Sequence, residues 1–246
     1  MPEKARETRP RYALLDELRG LAIVLMVIYH ALYLLAFVFG SGAGRRLFDL
    51  MGPVQPGIAG TFILLCGVCC RFSRSNLKRG LRTAGAAAVV TLATLAMSLF
   101  GVDEIIWFGV LHFLACAMLL FALIEKLPEE RVPPIVRAIV FTALFFVFSV
   151  WRPFPRTDFF PLYALGFPSS TLRSADYFPM IPWLFLFLAG TALGLYGQRG
   201  RFPAWMKKSR VPALAWLGRH ALLIYLLHQP VLFALFMGLE AAGVRL

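Results

Sequence analysis

Ionisable residues stand inside apolar stretches at spacings that suit acid–base chemistry. The segment RYALLDELRGLAIVLMVIYH (residues 11–30) carries Asp16, Arg19 and His30 on an otherwise apolar helical pattern. On a helix of 3.6 residues per turn, Arg19 follows Asp16 by three positions and His30 lies about 20° from Arg19 in projection. Tyr33 follows three residues later, so the four form one stripe about 25 Å long. Two further histidines sit in apolar runs, His112 in WFGVLHFLA and His228 in YLLHQP. Imidazole titrates near neutrality, which makes general acid–base work the economical use of such a group. Asp176, in SADYFPMIPW, is placed to enter the same region and orient a histidine. Pro230 cannot donate to the carbonyl of Leu226, so a kink is expected beside His228. Three histidines at one depth also invite zinc, but no HxH or HxxxH spacing occurs and no cysteine lies at that level, so no metal is expected. For Asp16 and Arg19, a structural ion pair and a functional one are equally consistent with the pattern.

The elements that must position these residues are membrane helices. The 246 residues are 59% hydrophobic and 15% charged, with a mean hydropathy of +0.73, well above the apolar share of a soluble domain. Seven apolar runs are long enough to cross a hydrocarbon core of about 30 Å. They cover residues 14–38, 54–70, 84–101, 105–124, 133–151, 180–198 and 212–239, leaving one transmembrane domain over 1–246 and a fold class of all-α, polytopic helix bundle. No cleavable signal peptide is evident, since the first run is too long and lacks a small-residue cleavage site. A charged residue facing lipid is costly, so the polar stripe should face the bundle interior or a cavity.

Loop charge sets the expected orientation. Lys4, Arg6, Arg9 and Arg11, then Arg71, Arg74, Lys78, Arg79 and Arg82, then Arg199, Arg201, Lys207, Lys208 and Arg210 all fall on one side. That side is expected to be cytoplasmic, which places His30, His112 and His228 in the outer half. The formal charge of +12 is then accounted for by this bias and by anionic inner-leaflet lipid, with no nucleic acid required. Cys66, Cys69 and Cys70 read as small packing residues within a helix, and Gly190 to Gly194 (GTALG) as a close helix contact. Residues 152–178, with prolines at 153, 155, 161 and 168, form a long outer loop, either a wall over an outward-facing site or a segment resting on the bilayer.

The stretches RYALLDELRGLAIVLMVIYH, GTFILLCGVCCRFSRSNLKRG, FGVLHFLA, ADYFPMIPWLFLFLAG and LGRHALLIYLLHQPVL together resemble bacterial members of the heparan-alpha-glucosaminide N-acetyltransferase catalytic-domain family, within the wider transmembrane acyltransferase superfamily. The resemblance implies an acetyltransferase of the bacterial cytoplasmic membrane, taking acetyl-CoA as co-substrate and delivering the acetyl group to an amine or hydroxyl of a sugar-type acceptor on the far side. It puts Asp16, Arg19 and His30 at signature positions and His112 and His228 at motif positions, so the three histidines are expected to be catalytic, with Asp176, from its place before the sixth apolar run, orienting one of them. Asp16, Arg19, Arg71, Arg74, Lys78 and Arg79 are the candidates for holding coenzyme A. The sequence departs from the animal lysosomal enzyme, whose catalytic histidine lies in the loop after the first helix. Here no histidine occurs between His30 and His112, and His30 becomes the candidate base. The partners expected are the lipid bilayer, acetyl-CoA and the acceptor, and a homodimer is compatible with the pattern. The alternative class is a transporter for a small polar solute, against which stands the lack of inverted repeats.

Overall fold

The computed structural model describes residues 12–99, 104–126, 132–151 and 154–244. Lys4, Arg6, Arg9 and Arg11 lie outside them. Among the described residues the chain is helical, with no strand beyond one isolated parallel bridge between Phe108 and Tyr177. The helices are α1 (Ala13–Tyr33), continued by a π-helical turn Leu34–Val38, α2 (Gly42–Met51), α3 (Gln55–Cys70), α4 (Asn76–Ser98) and α5 (Val110–Ile124). Then follow α6 (Pro134–Val150), α7 (Phe160–Leu165), α8 (Met180–Gln198), α9 (Pro212–Arg219) and α10 (Ala221–Ala241).

Four of these have the length and hydropathy of a membrane span: Ala13–Val38, α4, α8 and α10. The pair α2 and α3, bent by 55°, makes a fifth if taken as one broken span. The protein is therefore an integral membrane protein, but length and composition do not reach the expected seven spans among the described residues. The shortfall has local causes. Residues 105–108 pair with 174–178 instead of starting a helix, leaving α5 at 15 residues, and Pro133 and Pro134 open α6, which has 17. The last run, expected as one helix over 212–239, divides at His220 (φ −102°, ψ 15°) into α9 and α10. The kink expected at Pro230 leaves no break, because α10 runs on as one helix through that residue.

Glycines set two close helix crossings. A Cβ on Gly67 would overlap the carbonyl of Phe187, and one on Gly190 or Gly194 would overlap the carbonyl of Leu64 or Val68. The GTALG motif thus seats α8 on α3 backbone to backbone, as small residues do in membranes. The second crossing joins α1 to α9, where Gly20 faces the carbonyl of Leu214 and Gly218 faces that of Asp16. Glu17 fixes the same contact. Its Oε1 accepts from the Ser209 hydroxyl (2.7 Å) and from the N–H groups of Arg210 (2.7 Å) and Val211 (2.9 Å), capping the entry to α9. Cys66 and Cys70 are buried with Ile63, Phe113 and Phe187 between α3, α5 and α8, which is a packing role.

Aromatic contacts gather the basic segments. Tyr12 lies edge-on to Phe72 (5.6 Å between centroids) and Phe202 (5.2 Å), and its hydroxyl donates to the Gly197 carbonyl (3.2 Å). The start of α1, the α3–α4 turn and the segment after α8 therefore share one end of the bundle. At the other end the Tyr33 hydroxyl donates to Glu104 (3.0 Å).

Because the α1–α9 crossing leaves no room for a side chain, Gly218→Ala is expected to cost about 1–3 kcal/mol, read as a lower melting temperature in detergent. Gly85→Ala, whose new Cβ meets nothing within 4 Å, should melt like the parent. Equal melting of the two variants would mean that the crossing yields freely.

Candidate active site

Three segments converge at the end of the bundle away from the arginine-rich turns. His30 comes from α1, Tyr225 and His228 from α10, and Asp176 from the extended strip that pairs with 105–108. The strip is held in register by Ala175 N–H to Ile105 O (3.2 Å) and Phe178 N–H to Phe108 O (3.1 Å). The Ser174 hydroxyl accepts from the N–H of Trp107 (3.1 Å) and donates to the Asp176 carbonyl (2.6 Å). The end of the long loop is thus a fixed wall of the site. Upstream, Asp158 organises the loop and is held down at about 2 by the hydroxyls of Ser169 and Thr171.

The His30 and His228 rings lie 4.8 Å apart, inclined at 64°. Their hydrogen bonds fix which nitrogen is free. Nδ1 of His30 sits 2.9 Å from the Met26 carbonyl, and Nδ1 of His228 sits 2.6 Å from the Tyr225 carbonyl. A carbonyl accepts only, so each neutral ring carries its hydrogen on Nδ1 and presents a bare lone pair on Nε2. The Nε2 atom of His228 is buried and has no hydrogen-bond partner among the described residues. Such an orphaned acceptor costs free energy unless a ligand supplies a donor.

Asp176 ties the pair to the rest of the fold. Its Oδ2 accepts from the Val110 N–H (2.9 Å) at the positive end of α5 and from the Tyr225 hydroxyl (3.3 Å). The carboxylate occupies the space where a Cβ on residue 109 would stand, which is why Gly109 is needed there. Burial pushes the Asp176 carboxyl up from its ordinary value, against the pull of the Val110 N–H and of nearby His30.

His112 is close by but differently employed. Its Nδ1 accepts from the Gly109 N–H (3.2 Å), so Nε2 holds the hydrogen and donates to Thr91 Oγ1 (3.0 Å), which in turn donates to the Ile106 carbonyl (2.8 Å). Both ring nitrogens are committed to capping α5 and tethering it to α4. Tyr225, by contrast, was absent from the candidates read in the sequence. Its signal was its spacing, three residues before His228 on the same helix.

The six candidates for the donor end lie at the arginine-rich turns. Arg19 donates to Asp16 in an intrahelical ion pair, both side chains being largely buried. Arg79 Nη1 donates to the Cys69 carbonyl (3.2 Å) at the C-terminus of α3. Arg71 Nε donates to the Thr191 carbonyl (3.3 Å), with its guanidinium 5.0 Å from the Phe121 ring centre. Arg74 and Lys78 are exposed. Arg19 and Arg79 both lie within electrostatic reach of Cys69, which places these two near the C-terminal end of α3.

No curated protein and no solved structure matches this chain. A family profile does, over residues 11–230, an interval that holds His30, His112, Asp176, Tyr225 and His228. Since the match takes in most of the chain, the protein belongs to the heparan-alpha-glucosaminide N-acetyltransferase catalytic-domain family.

Proposed function

We propose that the protein transfers an acetyl group from acetyl-CoA, entering at the arginine-rich end, to an amine or hydroxyl of a sugar-type acceptor at the His30–His228 end. Family membership supports the acyltransferase class. The observation that carries the chemistry is the facing pair of imidazoles, each with its Nε2 lone pair available. By its loop charge the arginine-rich end faces the cytoplasm of a bacterial cell, and the acceptor end faces outward.

Acetyl-CoA supplies an activated thioester. Arg74 and Lys78, exposed beside Arg79, fit its phosphates as charge-assisted donors, while Arg19 and Asp16 stand along the path inward. From Arg19 to His30 the helix rises about 16 Å, a span suited to an extended pantetheine arm. His30 Nε2 takes the proton from the acceptor as that oxygen or nitrogen attacks the thioester carbonyl carbon. The new C–O or C–N bond forms, the C–S bond breaks, and the leaving thiolate is protonated to free coenzyme A. His228 Nε2 accepts a second hydrogen bond from the acceptor and so orients it. Asp176 stabilises the imidazolium formed on His30, Tyr225 holds Asp176, and His112 keeps the α5 end in place.

Release of free thiol from acetyl-CoA by the purified protein tests this reading. Turnover is expected with the parent and should fall on the order of a hundredfold or more in His30→Ala and His228→Ala. His112→Ala should instead lower the melting temperature first. No thiol release with any acyl-CoA would favour a transporter, and full turnover without His30 and His228 would overturn the site.

A second expectation follows from Asp176. A carboxyl raised by burial binds its proton more tightly folded than unfolded, so its ionisation opposes folding as pH climbs above the ordinary carboxylate value. Asp176→Asn keeps an oxygen for Val110 and Tyr225, and should melt no lower than the parent at neutral pH while losing turnover. A lower melting temperature with retained turnover would assign Asp176 to the fold alone.

A further inference from the structure

Tyr33 completes the polar stripe of α1 but has no part in the acyl transfer described above. It stands one turn beyond His30, and its hydroxyl donates to Oε1 of Glu104 (3.0 Å), a residue 71 positions further along the chain. Glu104 adjoins Ile105, whose carbonyl accepts from the Ala175 N–H (3.2 Å), and Ala175 adjoins Asp176. His30 and Asp176 are therefore connected through two hydrogen bonds and short runs of backbone. The circuit closes in space, since Asp176 lies within electrostatic reach of the His30 ring.

The same tyrosine leans on the helix that braces His30. Gly40 takes a positive φ of 68°, which favours glycine and lets the chain double back after the π-helical turn. Helix α2 then returns so closely that a Cβ on Gly44 would overlap the Leu35 side chain. Its Phe48 meets Tyr33 (5.9 Å between ring centres), Phe37 (5.1 Å) and Tyr29 (5.0 Å). Tyr29 in turn stands edge-on to His30 (5.6 Å, 87°). Phenylalanine at position 33 would serve that packing equally well; the hydroxyl adds the link to Glu104.

We infer that Tyr33 and Glu104 are positioning residues of the site, whose hydrogen bond sets how close His30 stands to Asp176. The inference rests on the reading of His30 as the base of acyl transfer. The pull of Asp176 on the imidazolium formed at His30 weakens with distance, and the approach of the base to the acceptor is sensitive to displacements of about 1 Å. Water replaces an exposed hydrogen bond at little cost to overall stability. What its loss releases is the outer end of α1, and with it the His30 ring.

The purified full-length protein in detergent, carrying isotope-labelled histidine rings, tests this, with His30 assigned by its absence from His30→Ala. In Tyr33→Phe and in Glu104→Ala the His30 resonance is expected to move while that of His220 stays. Glu104→Gln, whose amide oxygen still accepts from Tyr33, should restore the parent position. Thiol release from acetyl-CoA with glucosamine as acceptor should fall about tenfold in kcat in Tyr33→Phe and in Glu104→Ala, at unchanged KM for acetyl-CoA. The Tyr33→Phe/Glu104→Ala double variant should be no slower than either single one, because both remove the same bond. An unmoved His30 resonance, an unchanged kcat, or losses that multiply in the double variant would overturn the inference. So would a Glu104→Gln variant as slow as Glu104→Ala, or a raised KM for glucosamine at constant kcat, which would make the two residues acceptor contacts instead. If the parent releases no thiol at all, the acyl-transfer reading falls, and the His30 resonance still decides whether the Tyr33–Glu104 bond places the ring.

Discussion

The carboxylate of Asp176 ties the start of α5, the extended strip and α10 together. It accepts from the Val110 N–H that opens α5 and from Tyr225 on α10, and it lies within electrostatic reach of His30 on α1. Its own backbone is set by the pairing of 174–178 with 105–108. Placing a carboxylate among buried groups is unfavourable without donors, and the positive end of α5 is the donor set that makes it tolerable. The extended strip, the bare Gly109 and the tyrosine on α10 all follow from that one requirement.

The polar residues of α1 divide their labour along its length. Near the arginine-rich end Glu17 and Gly20 dock α9, and Arg19 donates to Asp16 one turn back. Eleven residues beyond Arg19, His30 meets His228. The D-E-x-R-G opening is therefore in large part a docking element that caps the start of α9 and seats it on α1. By doing so it fixes where α10, with His228 and Tyr225, begins. The helix that carries one histidine thus also positions the helix that carries the other.

Much of this was legible in the sequence, and the exceptions have physical reasons. Apolar runs marked the cores of α1, α3, α8 and α10, small residues marked the α3–α8 crossing, and loop charge grouped the segments that Tyr12 joins to Phe72 and Phe202. The approach of His30 to His228 was expected from depth alone. What hydropathy cannot convey is the destination of a hydrogen bond. Glu17 reads as one more charge in an apolar stretch until residues 209–211 are brought to it. His112 looks equivalent to the other two histidines until Gly109 and Thr91 occupy both its nitrogens. The division at His220 was equally hidden, because the residues on both sides of it are apolar enough for one continuous helix.

The central claim is that His30 and His228, and not His112, face the reacting acyl group. A structure with a non-transferable thioether analogue of acetyl-CoA bound tests it most directly. The account predicts the acyl carbonyl carbon beside the His30–His228 pair, with space for an acceptor atom about 3.5 Å from that carbon and within reach of His30 Nε2. An acyl group resting against His112, or held at the arginine-rich end with both histidine Nε2 atoms out of reach, would contradict it.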